Sequence, residues 1–104
     1  MKPTRLLFRP LAEAQIVEAF NSYSLRSRTR AKEWMNALDD AFTALEHFPL
    51  AYAILFDEVR RVKVKNSPYL LLFFVEEYGT YREAVVVACV HEKSDPQTWR
   101  AMSG

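Results

Sequence analysis

Two groups of side chains in this sequence have the types and spacing to do chemistry. The first is Arg60, Arg61, Lys63 and Lys65, four basic residues within six positions. The segment Val59-Arg60-Arg61-Val62-Lys63-Val64-Lys65 alternates apolar and basic residues, the pattern of a strand with one buried and one wet face. On such a strand Arg61, Lys63 and Lys65 share a face, with charges about 6–7 Å apart. Their mutual repulsion suggests an anionic partner, either phosphate or acidic side chains. The competing explanation is a charged strand that discourages edge pairing, or one neutralised by Asp57, Glu58 and later glutamates. The second group is His91-Glu92-Lys93-Ser94-Asp95-Pro96, directly after the last apolar run. A histidine where a strand leaves the core is well placed to transfer a proton or bind phosphate, although such a residue can equally be structural.

Other candidates are weaker. Arg26, Arg28, Arg30 and Lys32 cluster where a helix begins, and cations there oppose the macrodipole; a solvated surface accounts for them. His47 precedes Phe48 near a helix C-terminus, where it would cap carbonyls. The chain has one cysteine, Cys89, inside an apolar run, so it has no internal disulfide or thiolate metal site and Cys89 reads as a small buried hydrophobe. Only two glycines are present, Gly79 and Gly104, which excludes a glycine-rich phosphate cradle. Serine or threonine nucleophile arrangements and paired metal-ligand spacings are also missing, so no cofactor and no metal are expected.

Positioning these residues falls to one small domain spanning 1–104. With 104 residues, half of them hydrophobic and 13% aromatic, the chain can fill one core but not two. Lys and Arg number 14 against 13 Asp and Glu, and the balance holds in both halves. No global field draws the protein to nucleic acid or a membrane. Behind the basic N-terminal residues only Leu6-Leu7-Phe8 is apolar, which is neither a signal peptide nor a span. A soluble cytoplasmic protein with no membrane partner is the expectation.

The first half reads as a short strand over 4–8, then two helices. Pro10 suits a helix start, because its missing N–H has no intrahelical partner there. Apolar residues recur at helical spacing from Leu11 to Tyr23, and a turn is expected over Ser22–Ser27, with Ser27 as N-cap. A second helix runs from about Arg28 to Phe48 on the stripe Ala31, Trp34, Leu38, Ala41, Leu45 and Phe48, until Pro49 ends it. Two helices joined by a short polar turn make an antiparallel hairpin. The second half changes period. Beyond the basic strand, Tyr69–Val75 and Ala84–Val90 are continuous apolar runs rich in strand formers. The turn Glu76–Tyr81 separates them, with Gly79 free to take positive φ. The expected fold is α+β, a helical hairpin on a small antiparallel sheet in the order β-α-α-β-β-β, with a further short strand allowed at 52–56.

That order of parts resembles the RelE/ParE superfamily of toxins from type II, plasmid-stabilising toxin–antitoxin systems. The resemblance rests on Arg9-Pro10-Leu11-Ala12 at the helix start, Leu45 to Pro49 at the hairpin's end, Val59-Arg60-Arg61-Val62, and Ser67-Pro68-Tyr69-Leu70-Leu71-Leu72-Phe73-Phe74. It closes with Val86 to Pro96 and Trp99. RelE-like members are ribosome-dependent messenger-RNA endonucleases. In that branch an arginine commonly follows the aromatic of the central strand, where this chain has Leu70. Late arginine and tyrosine positions are replaced by Glu92 or Lys93 and by Trp99. Leucine cannot hold a phosphate and tryptophan cannot release a proton at neutral pH. A nuclease would have to be rebuilt with His91 as general acid and Arg61, Lys63 and Lys65 on phosphate. ParE-like members lack nuclease residues and poison DNA gyrase. His91-Glu92-Lys93-Ser94-Asp95 is similar to the His-Glu-Arg-Met-Asp ending of that branch, with Ser94 for the methionine.

The resemblance thus implies, first, a toxin neutralised by a cognate antitoxin and directed at gyrase, without catalysis. Arg60, Arg61, Lys63, Lys65, His91 and Lys93 would meet the target, and Tyr23, Trp34, Tyr52 and Trp99 would be exposed anchors for the antitoxin. A ribosome-directed messenger-RNA nuclease and an inactive homologue that only binds its partner are the alternatives.

Overall fold

The computed structural model describes residues 2–103. In chain order it contains β1 (Thr4–Phe8), α1 (Pro10–Arg26), α2 (Arg28–His47), a 3-10 turn (Pro49–Ala51), β2 (Ile54–Phe56), β3 (Val59–Lys63), β4 (Tyr69–Glu77), β5 (Arg82–His91) and α3 (Pro96–Ser103). The α+β class and the hairpin-on-sheet layout follow the sequence reading. So does the short strand allowed at 52–56, which is β2.

Pro10 opens α1 as expected, but the helix continues through Ser22 and Ser24 to Arg26. The link to α2 is Ser27 alone. Its extended backbone ends one helix and begins the next, and its Oγ accepts the Arg30 N–H at 3.2 Å. The apolar stripe of α2 is buried at Ala31, Trp34, Leu38, Ala41 and Leu45, while Phe48, the last position expected in it, is exposed. Proline at 49 stops the helix because the residue before it is driven out of the α region.

The sheet runs β1-β5-β4-β3-β2. β2 to β5 are antiparallel neighbours, but β1 lies parallel to β5, with Thr4 opposite Arg82 and Phe8 opposite Val86. Only a long connection permits a parallel neighbour, and the rest of the fold supplies it. β4 and β5 pair from Tyr69–His91 to Glu77–Arg82, with one irregularity: Leu72 faces Ala88 while Phe73 faces Val86. Val87 is thus an extra residue in β5, a β-bulge that shifts which side chains face which layer. Beyond it the Cys89 N–H has no β1 partner and donates instead to Gln15 Oε1 of α1 at 2.8 Å.

Both faces of the sheet are covered, which explains the continuous apolar runs of β4 and β5. The hairpin face packs Leu38, Leu45, Trp34 and Ala19 onto Val62, Val64, Leu71, Phe73, Val86 and Cys89. The opposite face packs Trp99 and Met102 of α3 onto Val59, Leu70, Leu72, Val87, Ala88 and Val90. Helix α3 was not expected. Its sequence, Pro-Gln-Thr-Trp-Arg-Ala-Met-Ser, is only eight residues and too short for a periodic signal. It is tied down by Arg100 to Asp57 at 3.1 Å, by Arg100 over the Phe56 ring, and by Arg9 to the Ser103 carbonyl at 3.3 Å.

Candidate functional site

The expected row of three cations is not formed. Along β3, Val62 and Val64 belong to the hairpin face and Val59 to the opposite one, so Arg61 and Lys63 project on the α3 side. Arg60 turns the other way, is half-buried, and donates to the carbonyls of Leu50 and Tyr52. Its charge is committed to holding the 3-10 turn. Lys65 lies past the end of β3, in the turn before β4, and lines a hollow beside Trp34 and Arg30. Of the remaining pair, Lys63 Nζ sits 3.6 Å from Glu92, both side chains partly exposed, a contact of about 0–1 kcal/mol. Arg61 is exposed and has no ion pair among the described residues.

His91 ends β5 on the hairpin face, opposite Tyr69, with the two rings 5.7 Å apart and near-perpendicular. The Lys93 N–H donates to His91 Nδ1 at 3.1 Å, so the neutral ring carries its proton on Nε2. The turn that follows is fixed from both sides. Ser94 donates its N–H and its Oγ–H to the His91 carbonyl, and Trp99 Nε1–H donates to Ser94 Oγ at 2.8 Å. Trp99 therefore positions the His91–Ser94 segment from the opposite face. Lys93 is exposed on this turn.

An open groove of about 280 Å³ runs between α1 and α3 past His91, with Glu18, Ser22, Tyr69, Ser94 and Thr98 among its walls. A smaller hollow of about 120 Å³ continues it along Ser22, Tyr23, Arg26, Pro68, Tyr69 and His91. Burial raises the Tyr69 hydroxyl above the ordinary tyrosine value, reinforced by Tyr23 and Cys89 and opposed by the Arg26 charge. It stays a phenol, a donor. Burial pushes the Cys89 thiol up to about 12, so it is no nucleophile at neutral pH. The charged residues that share these hollows with His91 are thus Arg26 and Glu18, not Arg61 and Lys63, which lie on the other side of the sheet.

The four aromatic residues expected as exposed anchors need correcting. Trp34 is 3% and Trp99 4% exposed, and both belong to the core. Tyr23 is half-buried in a cluster with Trp34 and Tyr69, ring centres 5.7–6.1 Å apart. Tyr52 is half-buried edge-on against Phe73. Surface apolar area lies elsewhere. Val17 is 57% and Leu25 89% exposed on α1, and Ile16, Val17, Phe20 and Met35 line an apolar hollow of about 180 Å³ between the helices. A wider groove beside it, about 560 Å³, adds Ser24, Arg28, Ala31 and Lys32. The signal was present in the sequence: Leu11, Val17 and Leu25 lie off the core stripe of α1, so that helix carries apolar residues all round.

Among the described residues no cluster of three His, Cys, Asp or Glu side chains could hold a metal ion. No helix among them is long and apolar enough to cross a membrane.

With this geometry in place, similarity to known proteins identifies the family. The family model for the ParE toxin of the type II toxin–antitoxin system parDE matches residues 6–96. The chain belongs to the ParE toxin family. Solved ParE-type structures share its fold. A chain of the chromosomal ParDE toxin–antitoxin system from P. aeruginosa superposes with a TM-score of 0.65 at 15% identity, covering 85% of this chain and 95% of that one. The YoeB/ParE toxin from Agrobacterium tumefaciens gives 0.57 at 11% identity, covering 84% and 97%. No curated protein matches the sequence. The matched span takes in the hairpin, the sheet apart from Thr4 and Arg5 of β1, and the His91 turn, but not Trp99 or most of α3. An antitoxin partner is implied by membership of the ParE family.

Proposed function

We propose that this ParE-family protein is a cytoplasmic toxin that inhibits DNA gyrase by binding it, without cleaving a bond itself. The observation carrying this reading is the separation of His91 from Arg61 and Lys63 across the sheet. Cleaving a phosphodiester needs an acid and a phosphate clamp within hydrogen-bond reach of one substrate. Here the proton donor and the basic strand face different layers. Arg60 is tied to carbonyls, and Leu70, where an arginine would hold phosphate, is buried under α3. A net charge of +1 also favours a protein target over a grip on ribosomal RNA. Exposed Arg61, Lys63, Lys65 and Lys93 then contribute to target contact; of these only Lys63 lies within ion-pair distance of an acidic group, Glu92, among the described residues.

The cognate antitoxin covers the apolar groove of the hairpin, Ile16, Val17, Phe20 and Met35. Arg28 and Lys32 on its rim suit a partner segment that is apolar on one face and acidic at its border. Val17→Asp is expected to abolish neutralisation while leaving the fold intact, because Val17 is exposed. Co-expression rescue of growth measures it.

A second reading is favoured by one feature. His91, with a proton on Nε2, shares a polar groove with Tyr69, Ser22 and Arg26. If the protein were a ribosome-dependent messenger-RNA endonuclease, these residues and not the basic strand would serve it. Regulated expression without antitoxin separates the readings. Broken DNA with intact transcripts supports gyrase inhibition, whereas transcript cleavage lost in His91→Ala would establish the nuclease.

A further inference from the structure

Charge is arranged along α2 in the order that its own backbone disfavours. The macrodipole favours acids at the start of a helix and bases at its end. Helix α1 follows that rule, with Glu13 in its first turn and Arg26 in its last. In α2 the first turn holds no acid and carries Arg28 and Arg30, with Lys32 just beyond, while Asp39, Asp40 and Glu46 lie in the second half. The core does not need these charges, because all six side chains are exposed.

The fold gathers the bases at one place. Helix α1 ends at Arg26 and α2 starts at Arg28, so the closed end of the hairpin carries Arg26, Arg28, Arg30 and Lys32. The turn after β3 adds Lys65, which shares a hollow with Arg30, Glu33 and Tyr23. Arg26 lines the adjoining hollow, also beside Tyr23, and Arg28 and Lys32 line the groove toward Met35. All five cations are exposed. Among the described residues their one ion pair is Arg30 with Glu33, at 3.9 Å, which solvent screens. The other acids of α2 do not neutralise them. At 1.5 Å rise per residue Asp39 lies about 14 Å and Glu46 about 24 Å along the helix from Arg30, beyond the Debye length of about 10 Å at 0.1 M salt. The net charge of +1 therefore conceals a strongly positive end.

We infer that this closed end of the hairpin binds the phosphate backbone of duplex DNA. Three of its five cations are arginines, whose planar guanidinium meets a phosphate with two parallel hydrogen bonds. Arg28 and Lys32 follow each other on one flank of α2, about 6 Å apart along the axis, and Arg30 with Lys65 occupies the other. Such an arc suits a line of phosphates better than a single small anion. Proteins hold single strands chiefly by stacking bases on exposed aromatic rings. Here Trp34 is buried and Tyr23 is half-buried against it, so the fitting form is a duplex met through its backbone alone. The contact is weak and independent of sequence, and it adds to the contact with a protein target. The choice of DNA over duplex RNA rests on the gyrase reading given above; the charge chemistry does not. Arg28 and Lys32 also rim the groove assigned to the antitoxin, so a bound antitoxin covers part of this surface.

Fluorescence anisotropy of a short labelled DNA duplex of mixed sequence, titrated with the whole protein at several salt concentrations, tests this. Binding is expected to weaken with a log–log slope of about −4, a loss of a few hundredfold between about 50 and 200 mM salt. Arg28→Gln combined with Arg30→Gln is expected to flatten that slope by about two, and Lys65→Gln by about one. Arg5→Gln, the same change of charge on the exposed side of β1, is expected to leave it unaltered. Flattening by Arg5→Gln as large as by Lys65→Gln, or binding that ignores salt, would overturn the inference. Tighter binding of the single strand would overturn the assignment to a duplex. Poly-glutamate that displaces the duplex at equal charge concentration would give the surface to an acidic protein instead. Duplex binding as described, with gyrase supercoiling unimpaired, would sink the gyrase reading and leave the backbone assignment standing.

Discussion

The two faces of the sheet are built differently. On one, α1 and α2 bring 37 residues of helix against β1, β3, β4 and β5, and most of the largest fully buried side chains, Phe73, Leu38, Leu45 and Leu71, lie there, with Leu72 on the other. On the other, an eight-residue helix covers a surface no less apolar, held by Trp99, Met102 and a few polar ties at its ends. A helix that short has no independent stability, so its place depends on what Trp99 buries. The hairpin face therefore carries the fold, while the α3 face holds a local element whose loss leaves the rest standing. The residues expected to meet a target divide along the same line, His91 on the thick side and Arg61 with Lys63 on the thin one.

This contrast can be broken by substitution. Phe73→Ala, at a position with no exposure in a layer that cannot collapse, is expected to cost about 3–5 kcal/mol in urea denaturation. Trp99→Ala removes a side chain of larger volume yet is expected to cost less, roughly 2–3 kcal/mol, because α3 can detach instead of leaving a cavity. Hydrogen exchange would show protection lost over 96–103 and kept in α2; equal loss in both would contradict the division. Ser94→Ala strips the Trp99 indole of its acceptor and is expected to cost about 1–3 kcal/mol. It should also loosen the His91 turn, visible as broadening of the His91 ring signals. In the turn between β2 and β3, Asp57 and Glu58 both have positive φ, 41° and 66°. Glu58→Gly is therefore expected to stabilise the protein by about 1 kcal/mol in thermal unfolding. Smallest of all, Arg100→Gln breaks an exposed pair with Asp57 and removes a cation from the Phe56 ring, and should change stability by less than about 1 kcal/mol.

Much of the fold was legible because its signals were long. The α2 stripe from Ala31 to Leu45 spans four turns, and the runs 69–75 and 84–90 were recognisable as buried strands. What the sequence did not reveal depends on contacts remote in the chain. The parallel placement of β1 beside β5 joins residues almost eighty positions apart. The Val87 bulge, which flips the outward faces of β5, leaves no mark in a run where every residue is apolar. Extending the β3 alternation to Lys65 assumed that the strand outlasted Lys63, and the turn carried Lys65 away. The aromatic anchors failed for a different reason. Tryptophan and tyrosine are frequent both in cores and at interfaces, and only burial distinguishes the two.

The central claim, a gyrase-directed toxin with no bond cleavage of its own, is tested most directly with purified components. Gyrase, relaxed plasmid and ATP are incubated with this protein, and DNA topology is read on a gel beside a parallel incubation with translating ribosomes and messenger RNA. Loss of supercoiling with accumulation of cleaved plasmid is expected, an effect reduced by Arg61→Ala, together with uncut RNA. Undiminished supercoiling together with RNA cleavage that vanishes in His91→Ala would contradict it.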